Sequence, residues 1–150
     1  LFPRLSYLYK YDPDEAKKLL KKSGLIVLIL SFLMSVILFF SAELIIYIFG
    51  GENFYGAVLI LKILSPIPFI VCVSNLLGVQ IMLPNNKIKA FNNILFVAGI
   101  LSFILMYPLI KKWAEMGAAI NILLIELFVA SAMMMYVVQK RLIFSKKEVE

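Results

Sequence analysis

The chain has 150 residues, 63% of them hydrophobic and 16% charged, and its mean hydropathy is +0.97. Soluble domains are typically about 45–50% apolar, so this composition excludes an ordinary soluble fold and predicts a lipid environment. The net charge of +6 does not predict nucleic-acid binding, because the basic residues flank apolar segments as they do in membrane proteins. The absence of histidine and the single cysteine, Cys72, exclude an internal disulfide and a His/Cys metal site. We expect no metal and no cofactor.

A basic segment, residues 1–23, opens the chain. Asp12 is a suitable N-cap residue and Pro13 suits the first helical position, so a helix is expected to start there. Four lysines follow within residues 16–22, and lysines beside a membrane are attracted to anionic headgroups. The sequence therefore predicts a basic amphipathic cytoplasmic linker before the first span.

The first two spans are predicted at residues 24–49 and 55–83. A stripe of small residues on one face of the first span would let another helix approach closely: Gly24, Ser31, Ser35 and Ala42. Residues 50–53 form a polar turn. The second span contains Pro66 and Pro68, which remove backbone donors and predict a kink or hinge in the helix. Residues 84–87 are predicted to close it with a tight turn.

The third and fourth spans are predicted at residues 90–110 and 116–138, followed by a cytoplasmic tail at 139–150. The N-terminal segment, the 84–89 turn and the tail carry six, two and four Lys or Arg residues, against two on the other side. This bias orients both termini toward the cytoplasm. The predicted fold is thus an all-α integral membrane bundle of four transmembrane helices, preceded by the basic segment.

Polar residues inside the spans are the candidate functional residues, because charges in lipid need water, a partner or the headgroups. Lys62 either snorkels to the near interface or faces a cavity as a cation for an anionic ligand. Gln80 would share its face in a straight helix, and Asn75 is a further cavity candidate or a contact between helices. Glu126 is either a structural hydrogen-bonding residue or an ion-coupling residue. No nucleophile, phosphate-binding or dinucleotide motif is present, so an enzyme is not expected.

Several segments occur in a characteristic order along the chain: Leu1 to Ser6, Ala42 to Gly50, Ala57 to Ser65 with Lys62 inside it, Gly78-Val79-Gln80, and Asn86-Lys87 with Lys89. In this order the chain resembles the C-terminal part of polysaccharide transporters, the Wzx-type O-antigen flippases of the multidrug/oligosaccharidyl-lipid/polysaccharide exporter superfamily. The resemblance covers essentially the whole chain but about the last third of a family member.

The resemblance implies a larger two-lobe helical bundle in the bacterial cytoplasmic (inner) membrane, of which this chain is the C-terminal part of one lobe. Its partners would be the bilayer, the missing N-terminal helices of the same protein and a lipid-linked oligosaccharide substrate. The implied function is translocation of undecaprenyl-pyrophosphate-linked O-antigen, capsule or exopolysaccharide units, with Lys62 helping to neutralise the pyrophosphate or sugar acids.

Two alternatives stay open at this point. The first is another exporter of the same superfamily, for drugs or a peptidoglycan precursor, which would differ in the chemistry of its cavity. The second is a small membrane scaffold protein that transports nothing. A start methionine immediately before Leu1 would favour the scaffold.

Overall fold

The computed structural model describes residues 13–140 together with Leu8, Tyr11 and Leu142. The described residues are helical, with no β-strand among them. The elements are helix α1 (Pro13–Gly50), a 3₁₀ turn (Glu52–Phe54), helix α2 (Ala57–Leu64), helix α3 (Ile67–Asn75), a π-helical segment (Leu76–Met82) and helix α4 (Ile88–Gln139). The expected N-cap, Asp12, the first residues of the basic linker and most of the tail lie outside the described residues.

Three helical stretches are long and apolar enough to cross a membrane within the part of the chain that the structure describes. They are Lys18–Gly50, Ala57–Met82 and Ile88–Gln139. A crossing needs about 20 apolar residues, so the first two have the length of one span, whereas the third, with 52 residues, has the length of two. The predicted all-α membrane fold is confirmed at this level.

Helix α1 is continuous from Pro13 to Gly50, whereas the sequence predicted a separate basic segment that ends before Gly24. The helix continues because one interior glycine costs only about 1 kcal/mol and the lysines and leucines around it favour helix. Gly24 is buried, and a Cβ placed on it would lie 3.5 Å from the Leu76 side chain. Its small size therefore serves packing between helices.

Helix α1 packs antiparallel against α2 and α3. Three contacts establish the antiparallel register. As the residue number rises along α1, the number of the residue that it contacts in the second apolar stretch falls. Gly24 lies at Leu76, the Phe32 and Phe69 rings meet edge to face at 5.7 Å, and Glu43 contacts Lys62. Of the other small residues predicted on this face, Ser35 and Ala42 are buried, whereas Ser31 is only partly buried.

The second apolar stretch is interrupted between α2 and α3, at Ser65-Pro66. Pro66 has no N–H to donate to the Lys62 carbonyl four residues earlier. The hydroxyl of Ser65 donates to that carbonyl at 2.8 Å instead. The chain then continues through α3 and the π-helical segment into the tight turn predicted at residues 84–87, where Asn86 has a φ of 57°.

Helix α4 reverses direction near Ala114, whose φ of 46° and ψ of −123° are not helical. Asn121 Nδ2 donates to Ser102 Oγ at 3.0 Å, although 19 residues of straight helix would separate these positions by about 28 Å. Gly117 is buried at the reversal, where an added Cβ would overlap the carbonyl of Leu109. The two halves of α4 therefore lie side by side as a helical hairpin.

The core lies between the π-helical segment and the two halves of α4. Met82, Met133 and Val137 are almost fully buried there. A Cβ on Gly78 would lie 2.6 Å from the Phe91 ring and 2.9 Å from the Met133 sulfur, so any larger residue here would require these side chains to move. Large apolar side chains elsewhere are exposed, Phe49 by 86% for example, as expected for surfaces that contact lipid or other helices.

Candidate functional site

Lys62 and Glu43 form an ion pair that joins α2 to α1. The Lys62 Nζ donates to Glu43 Oε1 at 2.7 Å. Glu43 lies seven residues before the end of α1, which places the pair roughly 10 Å from the turn that connects the two helices. The pair is therefore inside the apolar stretches, where an isolated charge is costly and a paired one less so.

The pair still has capacity for a ligand. The side chains of Lys62 and Glu43 are 31% and 57% exposed. An ammonium group has three N–H donors, and Glu43 Oε1 is the acceptor that the described residues provide for Lys62. Two N–H donors of Lys62 thus remain for a further anionic oxygen. Glu43 neutralises the charge of Lys62 without using all of its hydrogen-bonding capacity.

The helix break beside this pair is fixed by a residue of α1. Ser35 Oγ accepts the N–H of Phe69 at 3.2 Å, and the same N–H also bonds the Pro66 carbonyl at 3.1 Å. Ser35 therefore gives this N–H a second acceptor, from the neighbouring helix, and ties the start of α3 to α1.

Gln80 lies in the π-helical segment, well away from Lys62. Eighteen residues separate them, which corresponds to about 27 Å of helix, so they do not contribute to one small site. The Gln80 Oε1 is buried, and no hydrogen-bond donor reaches it within the described residues. Asn75 is exposed at the end of α3, and among the described residues its side chain makes no hydrogen bond.

Glu126 lies in the second half of α4 and is half-buried. Among the described residues, the structure shows no hydrogen bond or ion pair to its carboxylate. Its role as a coupling residue thus remains a prediction. Neither this carboxylate nor Gln80 joins Lys62, which pairs with Glu43 instead.

The sequence analysis did not pair Glu43 with Lys62. A signal for the pair was present. Glu43 and Lys62 lie nine and ten residues on either side of residue 52, the centre of the polar turn. In an antiparallel hairpin, residues equally distant from the turn lie at the same depth. Ser35 and Phe69 satisfy the same rule, each 17 residues from residue 52.

Comparison with known proteins gives one informative relative. A protein of Escherichia coli (strain K12) named "Putative O-antigen transporter" is 36% identical to this chain over 143 residues, or 95% of the chain. The predicted resemblance to O-antigen transporters is confirmed. Together with the apolar helices, this similarity identifies a multi-pass membrane protein.

The similarity covers only 34% of the relative, so the chain spans about a third of the length of the transporter that it matches. No family model matches the chain, and no solved structure matches it.

Proposed function

We propose that this chain is part of an exporter that moves lipid-linked oligosaccharide, the repeat unit of O-antigen or a related surface polysaccharide, across the bacterial cytoplasmic membrane. The observation that carries the proposal is the 36% identity, over almost the whole chain, to a relative named as an O-antigen transporter. The role we propose is transport, in keeping with the name of that relative.

The ion pair gives the proposed substrate a place to interact. A lipid-linked oligosaccharide carries a pyrophosphate, and often sugar acids, through an apolar region. The two donors left on Lys62 suit an anionic oxygen, while Glu43 keeps the site neutral when no substrate is present. A single exposed lysine on a soluble surface would not support the same argument; the depth of Lys62 in the span does.

In this proposal the chain crosses the membrane four times: once with α1, once with α2 to the π-helical segment, and twice with the halves of α4. Both ends then face the cytoplasm, on the side with the larger number of Lys and Arg residues. The polar turn at residues 51–54 and the reversal at Ala114 face the opposite side. Residues beyond this chain would complete the pathway.

Deletion of the gene in its host tests the proposal. The expected result is loss of surface polysaccharide and accumulation of its lipid-linked repeat units, restored by the wild-type gene on a plasmid. Unchanged surface polysaccharide, with no redundant exporter in the genome, would favour the non-transporting scaffold. Loss of drug resistance with normal polysaccharide would favour the drug exporter.

A further inference from the structure

A second feature lies far from the ion pair, at the opposite end of α1. A groove of about 410 Å³ runs between α1 and α3 and continues along the π-helical segment. We call it the α1–α3 groove. Its α1 wall includes Leu20, Gly24 and Leu28, and its other wall includes Val73, Leu77 and Met134.

The lining of the α1–α3 groove is apolar except at one end. Lys21 is the only charged or hydrogen-bonding side chain among the described residues that line it. Lys18 lies three residues before Lys21, on the same face of α1, and both side chains are exposed. The groove thus has an apolar channel and a doubly basic end.

We propose that the α1–α3 groove binds one acyl chain of an anionic phospholipid, such as phosphatidylglycerol, with its phosphate held by Lys18 and Lys21. Charge complementarity supports this occupant, since lysines next to a bilayer attract anionic headgroups. The apolar lining fits an acyl chain and offers nothing that would hydrogen-bond a sugar. This distinguishes the groove from a site for the oligosaccharide, and the proposal does not depend on transport.

Gly24 forms part of the groove wall and has no side chain to fill it. A Cβ at this position would meet only the two terminal methyl groups of Leu76, at 3.5 and 3.8 Å. These are ordinary contacts, so alanine would fit, whereas a leucine side chain would extend into the groove. Gly24→Leu therefore tests the channel separately from the charges.

The experiment is native mass spectrometry of the full-length protein in detergent, titrated with palmitoyl-oleoyl phosphatidylglycerol and with phosphatidylcholine of the same chains. The wild type is expected to bind phosphatidylglycerol preferentially. Lys18→Gln/Lys21→Gln should weaken that binding roughly thirtyfold, because each lysine contributes about 1 kcal/mol. Lys111→Gln/Lys112→Gln, which removes the same charge at the α4 reversal, is the matched control and should change little.

Gly24→Leu should reduce the binding of phosphatidylglycerol, and Gly99→Leu is its control, because nothing lies within 4 Å of a Cβ at Gly99. If Gly24→Leu does not fold, the lysine variant decides, since exposed lysines leave the packing intact. Equal binding of the two lipids, or equal losses in the two lysine variants, would overturn the proposal. Displacement of phosphatidylglycerol by equimolar undecaprenyl phosphate would also overturn it and assign the groove to an isoprenoid chain.

Discussion

At the residue scale, the partner of Lys62 determines what this lysine does in the membrane. An unpaired lysine at the centre of a span costs about 2.5–3.5 kcal/mol on insertion scales. Glu43, at 2.7 Å, offsets part of that cost and leaves the span without net charge at this depth. Both residues therefore have a structural role, and Lys62 alone has the proposed role toward the substrate.

Variants of the pair separate these two roles. We expect Lys62→Gln to reduce surface polysaccharide strongly, because it removes the cation that the substrate would contact. Glu43→Gln should retain more transport, because it leaves that cation in place. The measurement is quantitation of surface polysaccharide at matched protein levels in the membrane. Equal losses in both variants, reversed by Glu43→Lys/Lys62→Glu, would show that the pair is structural only.

Two serines at the helix break make a prediction about stability. Ser35→Ala removes an acceptor from the Phe69 N–H, and Ser65→Ala removes a donor from the Lys62 carbonyl. Each should lower the stability of the protein by about 1 kcal/mol, read as a lower melting temperature in detergent. Ser41→Ala is the control, since the Ser41 hydroxyl bonds only the Ile37 carbonyl of its own helix. A loss in the control as large as in the other two would contradict this explanation.

At the element scale, the reversal within α4 determines whether this stretch crosses the membrane once or twice. Its evidence is the contact of Asn121 with Ser102 and the non-helical backbone of Ala114. The positive φ of Ala114 is a conformation that glycine adopts more readily than other residues. Lys112 lies 4.5 Å from the centre of the Trp113 ring at the same place, and such residues are common at a membrane interface.

The effects of substitutions at the reversal on protein stability should follow from this geometry. Gly117→Val should destabilise the protein by about 1–3 kcal/mol, because the added side chain would overlap the Leu109 carbonyl. Ala114→Gly should be tolerated. Gly99→Val is the control for a glycine in an open position. Melting temperatures in detergent measure all three, and a Gly117→Val protein as stable as the wild type would argue against the tight hairpin.

At the scale of the whole molecule, much of the fold was predictable because lipid restricts it. Long apolar stretches, Pro66 and the turn at residues 84–87 are local signals, and the structure has its interruptions at those places. The close approach of Gly78, in the π-helical segment, to Phe91 and Met133 was not predictable, because these residues come together only in the folded chain. The Lys62–Glu43 pair depends on the register of the hairpin. The shared face of Lys62 and Gln80 was expected only for a straight helix, and the chain is interrupted between them at Ser65-Pro66.

The proposed four-span topology predicts which positions water reaches from each side. After replacement of Cys72 by serine, single cysteines at Asn53 and Glu115 should react with a membrane-impermeant maleimide in intact spheroplasts. Cysteines at Asn86 and Lys140 should react only after permeabilisation. All four side chains are exposed, so failure to react reflects the membrane and not burial. Labelling of Asn86 and Glu115 from the same side would contradict two crossings by α4.

The most direct test of the proposed function is the distribution of lipid-linked oligosaccharide between the two leaflets. Spheroplasts with and without the gene are labelled in the sugar, and a membrane-impermeant glycosidase then digests the units on the outer face. We predict that a substantial fraction is digested in the wild type and very little in the deletion strain, with Lys62→Gln close to the deletion. Equal digestion in the wild type and the deletion strain would contradict the assignment of this chain to an oligosaccharide exporter.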